Sequence, residues 1–195
     1  MTLPEILHAI YPLPPASLDQ LLALAEPVDL PKRTCLFRDD TLAHHVYVLQ
    51  RGLARVYARR ADREVTFWFS EEGAILASIR GYTEQAVSYE TIELLEDSHL
   101  FRLPMQALHE LYRTDVHVAN WGRVMVERVW QHTEQQLLAR QFRTAEERYA
   151  DLLAQQPHLL QRVALGHLAS YLGITQVTLS RVRAKLNRGR ASRQA

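Results

Sequence analysis

A single cysteine, Cys35, occurs in 195 residues. That excludes an intrachain disulfide, a CxxC site and a four-thiolate iron–sulfur cluster. No apolar run approaches the roughly 20 residues that a membrane-spanning helix needs. The opening MTLPEILHAIYPLPP has no basic stretch leading into an apolar one, so a cytoplasmic location is expected. GxGxxG, P-loop, HExxH and GxSxG patterns are missing, and the nine histidines are scattered rather than set at metal-ligand spacing. Neither an enzyme nor a metal or other cofactor is therefore expected. The most informative absence is of negative charge at one end, because all 22 Asp and Glu residues lie at or before Asp151. Residues 152–195 carry seven arginines and lysines, net +7, whereas residues 1–151 are net −6. One end of the chain is suited to a polyanion.

What is present divides into three parts. Composition, 47% apolar and 23% charged, allows one large or two modest cores. Near the start, Ser17 is placed to cap a helix to Ala25 with Leu18, Leu21, Leu22 and Leu24 on an apolar side. From about Val28 to Leu103 short strand-like runs alternate with turn signals: Cys35–Phe37, Val46–Leu49, Leu53–Tyr57, Val65–Phe69, Thr91–Leu95 and Ser98–Leu103. This predicts an antiparallel barrel or sandwich. After Pro104 the period becomes helical, giving an α+β chain. Asp115 caps a long helix to about Arg140 that carries two stripes. One holds Val118, Gly122, Met125, Val129, His132 and Gln136 and is the expected seam with a second copy. The other holds Ala119, Val126, Trp130 and Leu137. Thr144 and Glu147 form a capping box for a further helix to about Gln155, stopped by Pro157. The expected domains are a roll over 1–113, a dimerisation helix over 114–141 and a DNA-binding unit over 142–195.

Residues Val163 to Leu186 are two short helices broken at Gly173. Leu165, Leu168, Ala169 and Leu172 share one face of the first helix, Gly173 supplies a positive φ at the turn, and Thr175 caps the second. At 100° per residue, Leu179, Val182 and Leu186 face inward, while Val177, Arg181, Ala184 and Arg188 face out. Such a helix fits a major groove, where an arginine pairs with guanine O6 and N7. Arg181 is the leading candidate for that contact. Gln176 suits an adenine or a phosphate, and Val177 a thymine methyl. Thr178, Ser180 and Lys185 suit phosphate contacts that set register, and the outward Arg188 is a further candidate DNA contact.

With these parts in this order, the chain resembles the CRP/FNR family of bacterial transcription regulators. His44 to Tyr57, with Val46-Tyr-Val-Leu and Arg51-Gly52, is similar to the family's strand-turn-strand. His167-Leu-Ala-Ser-Tyr-Leu-Gly-Ile-Thr175 with Thr178-Leu-Ser-Arg181 is similar to its recognition unit. The resemblance implies a cyclic-nucleotide-binding-like β-roll, a homodimer on palindromic double-stranded DNA and contact with RNA polymerase. It places Arg181 on the family's base-reading arginine and Val177 where a glutamate is common. In the effector region, Ser78 stands near the family's ribose glutamate and Ser88-Tyr89 near its phosphate-binding Arg-Ser. An effector other than cAMP is therefore expected, with Ser78, Arg80, Tyr82, Glu84, Gln85, Ser88 and Tyr89 as candidate contacts. A ligand-binding module acting on a protein partner is the alternative. No wing is expected after the recognition helix, and the basic tail Asn187–Ala195 is expected to replace it as a flexible arm.

Overall fold

Local capping chemistry sets the first elements of the chain. Thr2 N–H donates to the Glu5 carboxylate at 2.7 Å and starts α1 (Leu3–Ile10), whose Leu3, Ile6, Leu7 and Ile10 are buried. Pro15 opens α2 (Pro15–Leu24) because its missing N–H leaves no intrahelical bond unmade. Ser17 therefore lies inside this helix and is buried, not at its cap as expected from the residue type. The computed structural model describes residues 1–61 and 63–191, with side chains described up to Lys185.

Eight strands follow: β1 (Glu26–Leu30), β2 (Cys35–Phe37), β3 (His45–Arg51), β4 (Ala54–Arg59), β5 (Glu64–Ser70), β6 (Ile75–Leu76), β7 (Thr91–Leu94) and β8 (Ser98–Pro104). They form two four-stranded sheets, ordered β1-β8-β3-β6 and β2-β7-β4-β5. The described pairings are antiparallel, with Val46 opposite Leu103 and Tyr57 opposite Thr91. The inner faces contribute Val46, Val48, Leu49, Val56, Ile92, Leu94, Leu100 and Leu103 to one buried cluster. Its tightest backbone constraint is at the β3–β4 turn. Gly52 has φ +121°, and a Cβ there would lie 2.1 Å from Ser98 Oγ. No L residue fits both restrictions.

Within this part, α3 (Ile79–Glu84) lies between β6 and β7, and α4 (Met105–Thr114) follows Pro104, which occupies its N-cap position. The long helix is α5 (Val116–Phe142). Asp115 caps it as expected: Oδ1 accepts from His117 N at 2.8 Å and from Val118 N at 3.2 Å. By its contacts the chain falls into two units, one of Met1–Arg63 and Phe67–Trp130, the other of Glu64–Thr66 and Gln131 onward. Their division runs inside α5.

The first half of α5 corrects the expected seam. Val118, Trp121, Gly122 and Met125 are buried in the first unit's own core. Trp121 Nε1 donates to Leu7 O at 3.0 Å, and a Cβ on Gly122 would meet the Tyr112 ring at 2.6 Å. Val118, Gly122 and Met125 are thus already occupied within one chain. Val129, His132 and Gln136 from the same stripe are half-buried. The other stripe is open, with Val126, Trp130 and Leu137 exposed by 38%, 72% and 57%. Periodicity identifies both stripes but does not tell which one the roll takes.

In the second unit, Thr144 and Glu147 form the expected capping box of α6 (Ala145–Gln155). Thr144 N–H donates to Glu147 Oε2 at 2.7 Å, and Glu147 N–H to Thr144 Oγ1 at 3.2 Å. The Thr144 N–H and hydroxyl, both donating to Glu147 Oε2, hold that carboxyl below its usual range. Then come α7 (Leu159–Arg162), α8 (Leu165–Leu172) and α9 (Gln176–Ala191). Tyr149, Leu152, Leu159, Val163, Leu168, Ala169, Leu172, Leu179 and Val182 are the buried residues on which they pack.

Candidate nucleic-acid interface

The turn between α8 and α9 is built by three adjacent residues. Gly173 takes φ +67° as the C-cap of α8, and its N–H reaches Ala169 O and Ser170 O. Ile174 N–H donates to Ala169 O at 3.0 Å, so the last carbonyls of α8 are satisfied as in a left-handed helix cap. Thr175 Oγ1 then accepts from Thr178 N at 3.1 Å, the capping bond expected at the start of α9. Leu168, Ala169 and Leu172 are buried against Leu179 and Val182. This is a helix-turn-helix held by its own small core.

The outward side of α9 collects part of the expected contact set. Val177 is 62% exposed, and Gln176, Ser180, Arg181 and Arg183 are exposed as well. No ion pair engages Arg181 among the described residues. Thr178 is placed differently from expectation: its hydroxyl lies 2.9 Å from Thr175 Oγ1 and belongs to the cap. Lys185 likewise has a partner, with Nζ donating to Glu146 Oε1 and Oε2 at 2.7 and 2.8 Å. It ties α9 to the first turn of α6. Sequence spacing cannot find that pair, because the two residues are 39 positions apart. The side chain of Arg188 lies outside the described residues. The backbone of α9 continues to Ala191, so the start of the expected arm is a helical extension, and residues 192–195 lie outside the description.

The candidate effector residues are not assembled into a phosphate site. Ser78 is the N-cap of α3, where its Oγ accepts from Gly81 N at 3.2 Å. Ser88 Oγ donates to Glu90 O at 2.8 Å and accepts from Glu90 N at 3.1 Å. Arg80 is exposed and paired with Glu84 at 3.2 Å. Tyr82 is bonded to Tyr112 through their hydroxyls at 2.8 Å, with His109 edge-on at 5.2 Å. Burial pushes the pKa of both phenols above the usual range, which disfavours their ionisation. Gln85 caps α3 with φ 52°, and the half-exposed Tyr89 packs edge-on against Phe67.

Sequence reasoning missed Glu90, which is 2% exposed. One of its oxygens accepts from Ile79 N at 2.9 Å. Its other oxygen and the Thr91 hydroxyl are buried without a hydrogen-bond partner among the described residues. Ser78 and Ser88, which stand near the places of the ribose glutamate and the phosphate arginine, bond to neighbouring backbone and bring no guanidinium to a phosphodiester. The residues present do not fit a cyclic nucleotide phosphate.

The architecture is a β-roll of the cyclic-nucleotide-binding fold, followed by a long helix and a helix-turn-helix unit. Residues 27–115 match the family model of the cyclic nucleotide-binding domain. Among solved structures, FixK2 from Bradyrhizobium japonicum is 24% identical, with 85% of each chain covered and a TM-score of 0.75. CLP from Xanthomonas campestris, a c-di-GMP-responsive global regulator, is 18% identical over 89% of this chain and 92% of that one, with a TM-score of 0.72. A protein from Eubacterium rectale, assigned to the crp/fnr family of transcriptional regulators, is 14% identical over 92% and 88%, with a TM-score of 0.72. These likenesses establish a shared fold. No curated protein matches the sequence. No helix among the described residues is long and apolar enough to cross a membrane.

Proposed function

We propose that this chain is a dimeric, sequence-specific DNA-binding transcription regulator of the CRP/FNR type, working in the cytoplasm and without catalytic activity. The observation that carries the reading is the exposed side of α9. Val177, Ser180 and Arg181 lie there opposite the buried Leu179 and Val182, in a segment without a single carboxylate after Asp151. Arg181 reads a guanine, Val177 rests on a thymine methyl, and Ser180 sets register on a phosphate. Two copies join along the exposed Val126, Trp130 and Leu137 stripe of α5. Two-fold symmetry then presents paired recognition helices to major grooves about 34 Å apart on a palindromic site. RNA polymerase is the expected protein partner at such a site. Any effector of the roll has a chemistry other than that of a cyclic nucleotide, because Ser78 and Ser88 stand near the places of the ribose glutamate and the phosphate arginine and are bonded to neighbouring backbone.

The test is selection from a pool of random duplex DNA, with and without cAMP, using the natural protein and Arg181→Ala. A palindromic motif indifferent to cAMP is expected. In the variant, discrimination at one guanine in each half-site falls by about 1–3 kcal/mol. Failure to enrich any motif would overturn the reading.

A further inference from the structure

Gly166, the second residue of α8, has no backbone reason to be glycine. It lies within a regular helix and is not among the glycines with positive φ. Glycine at such a position destabilises a helix relative to alanine. A side-chain reason exists instead. A Cβ built on Gly166 would lie 2.7 Å from Nε2 and 3.5 Å from Cδ of Gln176. The Gln176 side chain, rooted in the first turn of α9, therefore lies back on the first turn of α8. Its carboxamide makes no hydrogen bond among the described residues, so its donors and acceptor are open to an external group. In a helix-turn-helix on DNA, the first helix crosses the phosphate backbone and the second enters the groove. A carboxamide lying on α8 is on the phosphate side.

Resting on the DNA-binding reading above, we infer that Gly166 sets the reach of Gln176. Without a side chain at 166, the Gln176 carboxamide is parked against α8 to contact a phosphate, and base reading at the start of α9 is left to Val177 and Arg181. Gly166 is thus a specificity-determining residue that need not touch DNA. A methyl group at 166 would displace only the flexible end of Gln176, with no backbone in the way. The displaced carboxamide would swing toward the groove, where it pairs with adenine N6 and N7.

The experiment is selection from random duplex DNA by four full-length proteins: the natural chain, Gly166→Ala, Gln176→Ala and the double variant. Gly166→Ser serves as a second probe of the same space. For the natural chain, the base pair facing the first turn of α9 is expected to show no preference. Gln176→Ala weakens all sequences alike by a few-fold, as loss of a phosphate contact does. Both Gly166 variants acquire a preference of about tenfold for A·T at that pair, and the double variant loses it. An unchanged motif in both Gly166 variants overturns the inference, as does a new preference that persists without Gln176. A fall in melting temperature in the Gly166 variants that Gln176→Ala does not relieve assigns the glycine to packing and also overturns it. If the natural chain enriches no motif, the DNA-binding reading falls and this inference with it.

Discussion

The roll and the helix-turn-helix unit use polar side chains in opposite ways. In the roll, Ser78, Ser88, Tyr82 and Arg80 are bonded to nearby backbone or to neighbouring side chains, and Glu90 is turned inward. In the second unit, Arg181 on the exposed side of α9 has no ion pair among the described residues, while Thr175 and Lys185 bond within the unit. The roll thus has the strands of the fold without the groups that would hold a cyclic nucleotide phosphate. On the proposed reading, α9 is tied to its chemistry more closely, because the same residues would form the surface and make the contacts. Architecture and ligand are separable in the first unit in a way they are not in the second.

That contrast can be broken most severely at Gly52. Gly52→Val places a branched side chain on a positive φ and against Ser98, and should destabilise the roll by about 3 kcal/mol, measured as a loss of thermal stability. An unaltered melting curve would mean that the β3–β4 turn is not the constraint described. Next in size is Trp130→Glu, which puts charge on the open stripe of α5. It should weaken self-association on the order of 100-fold, read by sedimentation, and lower affinity for a palindrome much more than for a half-site. Retention of the dimer would move the seam elsewhere. Thr175→Ala removes the α9 cap and should cost about 1 kcal/mol by chemical denaturation, leaving Arg181 specificity in place.

Smaller still is Lys185→Ala. Loss of a surface pair with Glu146 should cost less than about 1 kcal/mol and leave the salt dependence of DNA binding unchanged. A slope lower by about 1 would return Lys185 to the phosphate contacts. The smallest expected effect is that of millimolar cAMP on melting temperature, which is none. A rise would show that the roll still binds the nucleotide.

Features fixed by neighbouring residues were legible in the sequence. Asp115, the Thr144–Glu147 box, the positive φ of Gly173 and the Thr175 cap each depend on three or four successive residues. Six of the strands were visible as β-rich runs, whereas β6 is only two residues long and carries too little pattern to detect. Helix α1 was missed because its eight residues give barely two turns of period. Long-range pairing was not legible. The choice of stripe buried on α5, the Lys185–Glu146 pair and the inward carboxylate of Glu90 all depend on which surfaces meet. The room above Gly166 is of the same kind, since its occupant comes from the next helix.

The two glycines at the turns differ in what restrains them, and so in what evolution can do with them. Gly52 is enclosed by Ser98, but a Cβ on Gly173 would find nothing within 4 Å. The helix-turn-helix turn is limited by backbone torsion alone, and asparagine enters that left-handed region at modest cost. Lineages descended from this chain can therefore exchange Gly173 for asparagine and keep a working turn, whereas position 52 is held to glycine by its φ of +121° as well as by Ser98, so that a change at 98 alone does not release it.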